Sequence, residues 1–125
     1  MTTGQKTIIV VEDEQDAAEM FAEMMRVNGF RVLKATGTKP AMSMIDDEKP
    51  AAVILDIMMP DISGLEVLRY MQREPYLASI PVIVVSAKTL PKDIKTGLEA
   101  GASVYLTKPV DYLDLKRAVE KALGA

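Results

Sequence analysis

Thr7-Ile8-Ile9-Val10-Val11-Glu12-Asp13-Glu14 is the stretch on which the reading of this chain turns. Its first five residues are all β-branched and unbroken, which predicts a strand buried on both faces. Three acids follow at once. A strand buried on both faces belongs to a parallel sheet covered by helices, so whatever follows it lies at the carboxyl edge of that sheet. The same figure recurs along the chain. Ala52-Val53-Ile54-Leu55 stops at Asp56, Val82-Ile83-Val84-Val85 stops at Ser86, and Val104-Tyr105-Leu106 is followed by Thr107-Lys108-Pro109. Phe30 to Lys34 alternates more and predicts a strand nearer the sheet edge.

Helical periodicity fills the intervals. Ala17, Met20, Phe21, Met24 and Val27 share a helical spacing that ends at Asn28-Gly29, a left-handed cap; Met20 and Met24 are expected in the core. Pro40 to Asp47 predicts a short helix. Another begins near Leu65 with Leu68 and Met71 or Gln72. Pro91 to Ala100 predicts a helix closed by Gly101, and Asp111 to Leu123 places Leu115, Ala118, Val119 and Ala122 on one face. Five strands alternating with five helices imply an α/β domain with parallel pairing and right-handed crossovers. No linker, low-complexity tract or repeat divides it, so residues 1–125 are expected to form one domain.

Composition narrows the chemistry. The 125 residues include no cysteine and no histidine. Disulfide scaffolds, Cys/His zinc sites, thiolate nucleophiles and imidazole triads are thereby excluded. The net charge of −3 comes from 15 basic and 18 acidic residues without a basic run, so nucleic acid is not expected as a direct ligand. No apolar run approaches the roughly 20 residues that span a bilayer. Membrane insertion is therefore not expected, and a cytoplasmic location is.

The carboxyl edge gathers Glu12, Asp13, Asp56, Ser86 and Lys108 from four separate strands. In open α/β sheets ligands bind outside this edge, where strand order reverses. Neighbouring carboxylates repel unless one is protonated or a cation intervenes. Hard oxygen donors completed by water suit Mg²⁺. Asp56 ends an apolar run, where a charge is costly unless paired or solvated. It can cap a loop, or act as a nucleophile toward phosphorus to form an acyl phosphate. Lys108 offers a mobile positive charge and Ser86 a hydroxyl donor; each alone also reads as a surface lysine or a strand-end turn former. Glu14 reads as a first-turn acid of the following helix rather than as a member of the site.

In these positions the sequence resembles the receiver domains of two-component response regulators over essentially its full length. The matching elements are Glu12-Asp13, Asp56, the Met59-Pro60-Asp61-Ile62-Ser63-Gly64 loop, Ser86-Ala87 and Lys108-Pro109. The resemblance implies a flavodoxin-like doubly wound (βα)5 fold with strand order 2-1-3-4-5. It implies that Asp56 accepts a phosphoryl group from a histidine kinase or a histidine phosphotransfer protein. Asp13, Asp56 and the Met58 carbonyl would ligate Mg²⁺, with Glu12 acting largely through water. Lys108 would pair with the phosphoryl group, and Lys108-Pro109 resembles the family's cis peptide. Ser86 takes the switch hydroxyl position, and Tyr105 that of the aromatic whose ring moves inward; Tyr105 also reads as an amphipathic strand residue at the surface. The last two helices and Val104 to Leu106 would face a downstream protein target. The module would catalyse only its own phosphorylation and dephosphorylation.

Three other readings use the same fold class. A flavin mononucleotide module would need a Ser/Thr/Gly-rich loop where Glu12-Asp13-Glu14 stands. An aspartyl phosphatase would need a second acid where Met58 stands. A receiver that binds partners without phosphorylation would lack acids that are present here. The chain could serve as a phosphorelay intermediate or as the receiver of a longer regulator.

Overall fold

Burial on both faces is realised in β1 (Thr7–Val11), whose Ile8, Ile9, Val10 and Val11 have no solvent exposure. The computed structural model describes residues 5–58 and 63–124. The other elements follow in order as α1 (Gln15–Arg26), β2 (Arg31–Ala35), α2 (Thr38–Glu48), β3 (Ala52–Asp56), α3 (Leu65–Arg73), β4 (Val82–Ser86), α4 (Pro91–Glu99), β5 (Val104–Thr107) and α5 (Tyr112–Ala122). The strands form one parallel sheet in the order β2-β1-β3-β4-β5. The doubly wound topology expected from the sequence is the one observed.

Alternate residues of the central strands feed two cores. Ile9, Val11, Val53, Leu55, Val82 and Val84 face Ile45 of α2 and Val67, Leu68 and Met71 of α3. Ile8, Val10, Ile54, Ile83 and Val85 face Phe21 and Met25 of α1 and Leu115 and Val119 of α5. This is why β1, β3 and β4 are unbroken apolar runs, whereas β2, at the edge, shows Arg31 and Lys34 to solvent.

Register places the site. Val11 of β1 lies opposite Ala35 on one side and Leu55 on the other. The residues just past that register, Glu12 and Asp56, therefore come side by side. Asp56 in turn lies opposite Val85, and Ser86 opposite Thr107. Strand order reverses between β1 and β3, so the acids stand at the switch point of the sheet.

Helix α1 corrects one expectation. Met20 is 45% exposed and Val27 is exposed as well, while Met24 lies at the margin of the core. The buried stripe is Ala18, Phe21, Ala22 and Met25. Both stripes satisfy the i, i+3, i+4, i+7 spacing of an amphipathic helix, and the sheet selects the one with alanines, which lets the helix lie close to it. Elsewhere the expected and observed elements agree within a few residues; α2 begins at Thr38 rather than Pro40 and ends on Lys49 with φ 43°. Glu14 caps α1, its two carboxylate oxygens accepting from Ala17 N (2.7 Å) and Asp16 N (3.2 Å). Among the described residues no helix is long and apolar enough to cross a membrane.

Candidate functional site

Glu12, Asp13 and Asp56 each place a carboxylate oxygen within 4.8 Å of the others. Glu12 and Asp56 are buried, at 1% and 4% exposure, because they continue strands whose neighbours are covered on both sides. Asp13, one residue further, is exposed and opens the cluster to solvent. Lys108 arrives from the end of β5 and is held there by its own backbone, since Lys108 N–H donates to the Ser86 carbonyl (2.8 Å). Its Nζ reaches Glu12 Oε1 at 3.0 Å and Asp56 Oδ2 at 3.1 Å. The Lys108-Pro109 peptide is cis.

The remaining bonds are backbone donors. Met58 N–H donates to Asp56 Oδ1 (2.8 Å), and Glu14 N–H to Glu12 Oε2 (3.3 Å). Asp56 thus has one oxygen on an amide and the other on an ammonium. Burial pushes the Glu12 carboxyl above the usual carboxylate range, and the neighbouring Asp56 charge acts in the same sense, against the bond from Lys108. Burial lowers the Lys108 pKa, but its bonds to Glu12 and Asp56 outweigh this and hold it above the ordinary lysine value. Three carboxyl groups face a single ammonium at this rim, so acids outnumber the one cation that reaches them. A donor set of hard oxygens with an excess of negative charge and one exposed member fits a small divalent cation that retains water.

A second group lies beside it at the end of β4. Ser86 is buried, and its Oγ accepts the Lys88 N–H (3.0 Å). Tyr105 of β5 is half-buried, and its hydroxyl donates to the Lys88 carbonyl (2.9 Å). Ser86 and Tyr105 therefore meet at one residue, Lys88, which the sequence did not single out as the link.

Gly64 is the other contributor with a role that sequence reasoning left unread. A Cβ on Gly64 would lie 2.6 Å from the Asp56 carbonyl oxygen and 2.6 Å from Ile57 Cα. Its own N–H donates to the Ile57 carbonyl (3.1 Å). The turn into α3 thereby packs backbone to backbone against the end of β3. A glycine standing just before an apolar helical repeat was the available signal. Of the loop that carries part of the resemblance, Met59 to Ile62 lie outside the described residues.

Comparison with known proteins agrees with this geometry. The family model described as the response regulator receiver domain matches residues 8–120. The phosphate regulon transcriptional regulatory protein PhoB of Pseudomonas aeruginosa is 36% identical over 118 residues, covering 94% of this chain and 52% of that protein. This chain therefore spans about half of PhoB's length. Protein PilH of the same organism is 33% identical over 117 residues, covering 94% of this chain and 97% of PilH. The solved receiver domain of the Francisella response regulator 1452 superposes with a TM-score of 0.89 at 25% identity, covering 96% of this chain and 98% of that one. With its fold, its acidic rim and its matched residues in agreement, the chain belongs to the response regulator receiver domain family, the phosphorylation-dependent switches of two-component signalling.

Proposed function

We propose that Asp56 is the phosphoacceptor of this receiver and that residues 1–125 act as one cytoplasmic signalling module. The observation that carries the reading is the setting of Asp56. It is a buried carboxylate at the sheet's switch point, held by Lys108 and the Met58 amide and flanked by Glu12 and Asp13. In the proposed step a carboxylate oxygen of Asp56 bonds to the phosphorus of a phosphohistidine on a histidine kinase or phosphotransfer protein. The P–N bond breaks, and the imidazole leaves with its electron pair.

Asp13, Asp56 and the Met58 carbonyl would hold Mg²⁺, with Glu12 acting largely through water. Bound there, the ion would offset charge on the phosphoryl oxygens. Lys108 holds one side of Asp56 and turns to the phosphoryl oxygens as they arrive, since its ammonium has a flexible stem. Ser86 donates to the same oxygens and in doing so gives up the Lys88 N–H. Lys88 also anchors the Tyr105 hydroxyl, so the change reaches β5, α4 and α5, where a downstream protein would read it. Phosphorylation adds close to two negative charges and strong acceptor oxygens, enough to bias such an equilibrium.

The acids that suit this chemistry count against a flavin phosphate at the same edge. The same module fits a free-standing protein of the length of PilH, a relay intermediate, or the receiver part of a longer regulator such as PhoB. The test is intact-protein mass spectrometry after incubation with acetyl phosphate and Mg²⁺. A gain of one phosphoryl mass is expected in the native protein and none in Asp56→Asn. Native protein that gains no mass would refute the assignment.

A further inference from the structure

Two glycines stand near the end of α4, and only one has a backbone reason to be there. Gly101 has φ +120° and closes the helix. Its N–H donates to the Leu98 carbonyl (3.1 Å), and Ala102 N–H reaches back to the Gly97 carbonyl (3.1 Å). This paired bonding is a Schellman ending, which calls for glycine just beyond the helix, in the left-handed position. Gly97 is inside the helix, buried, and outside the left-handed region. At such a position glycine weakens a helix relative to alanine.

What fills the space of the missing side chain is Tyr105. A Cβ on Gly97 would lie 2.8 Å from Tyr105 Cδ2 and 2.9 Å from Cε2, closer than carbon atoms in contact can come. The same ring carries the hydroxyl bonded to the Lys88 carbonyl. The ring is thus held at two points, by the bare backbone of α4 at its edge and by Lys88 at its tip.

We infer that Gly97 is a positioning residue for Tyr105: α4 omits a side chain where the ring rests, and the resulting notch keeps the phenol on the Lys88 carbonyl. A methyl group at residue 97 overlaps the ring edge and turns the side chain about its Cα–Cβ and Cβ–Cγ bonds. The hydroxyl lies further from the Cα–Cβ axis than the ring edge does. Turning about Cα–Cβ therefore carries the hydroxyl further than the ring edge and breaks the bond to Lys88, whereas turning about Cβ–Cγ, on whose axis the hydroxyl oxygen lies, moves the ring edge alone; either motion takes the ring out of its seat. The consequence for signalling rests on the reading of Tyr105 as the switch aromatic; the seat itself belongs to the unphosphorylated protein.

The test compares native protein, Gly97→Ala, Tyr105→Ala and the double variant, all unphosphorylated. In the Tyr105→Ala background Gly97→Ala should raise Tm, because alanine favours the helix and the space is vacant. In the native background it should lower Tm or leave it unchanged. NMR should show a cross-peak between the Gly97 α-protons and the Tyr105 ring in native protein, and displaced Tyr105 ring resonances in Gly97→Ala. An equal rise of Tm in both backgrounds, or Tyr105 resonances unmoved by Gly97→Ala, would overturn the inference. Both readouts use protein without a phosphoryl group, so they decide the seat whether or not Asp56 takes one up.

Discussion

Gly64 packs so closely on Asp56 that a single added carbon would lie 2.6 Å from the Asp56 carbonyl oxygen. The obstacle is strand backbone rather than a movable side chain, so neither partner can yield without displacing the end of β3. Gly64→Ala should cost about 1–3 kcal/mol, in the range of overpacked interiors. Because Asp56 is the strand residue that moves, phosphoryl uptake from acetyl phosphate should slow along with the loss of stability. Urea unfolding and uptake kinetics on the same preparation check both. A stable Gly64→Ala protein with native uptake would show that the close approach is dispensable.

Lys108 compensates two buried acids at once, through bonds of 3.0 Å to Glu12 and 3.1 Å to Asp56. Lys108→Ala leaves those carboxylates facing each other unpaired. We expect a loss of about 1–3 kcal/mol without divalent cation, less than for a fully buried pair because the lysine is partly exposed. The cluster is then more negative, so added Mg²⁺ should raise Tm more in Lys108→Ala than in native protein. Thermal melts with and without the ion decide the point; an equal shift in both proteins would mean that the ion is held elsewhere.

Tyr70 of α3 donates its hydroxyl to Asp46 Oδ2 of α2 (2.5 Å), and Tyr76 donates to Asp46 Oδ1 (3.0 Å). The bond to the Asp46 carboxylate holds the Tyr70 phenol above its usual pKa of 10.0. The raised value belongs to the folded state, so the stabilisation is complete below pH 10 and fades as pH rises through the folded pKa. A spectrophotometric titration of the native protein should show a phenol component ionising later than free tyrosine. Asp46→Asn should bring that component back toward the ordinary range and flatten the alkaline fall in stability.

Met20 and Met25, two of the three methionines of α1, separate the stripe that is buried from the one that only looks buried. Met25 has no exposure, whereas Met20 is 45% exposed. Met25→Ala should cost about 2–5 kcal/mol as a large-to-small core change. Met20→Ala should stay within about 0.5 kcal/mol, as surface substitutions do. Chemical denaturation of the two variants compares them directly, and comparable losses would contradict the observed orientation of the helix.

Much of this was legible along the chain because it follows from local pattern. An unbroken run such as Ile8–Val11 demands cover on both faces. An acid or hydroxyl at the end of such a run must then lie at the sheet edge, whichever strands are neighbours. That reasoning placed Glu12, Asp13, Asp56, Ser86 and Lys108 at one rim, and the rim is where they stand. Glu14 was likewise readable as an acid at the start of α1 rather than a member of the site, because acids favour helix amino termini, and the structure makes it the cap. The orientation of α1 was not readable, because two stripes of equal spacing compete and only the shape of the sheet chooses between them.

The amino-acid order by itself determined the alternation of elements, the residue types available at the carboxyl edge and the absence of thiol and imidazole chemistry. Only the tertiary structure decided that Lys108 bridges Glu12 and Asp56, that Ser86 and Tyr105 meet at Lys88, and that Gly64 and Gly97 are empty so that Asp56 and Tyr105 can lie against them. The physical reason is range. Periodicity and capping act over a few residues, whereas each of these contacts joins residues on different elements and exists only once the strands are in register.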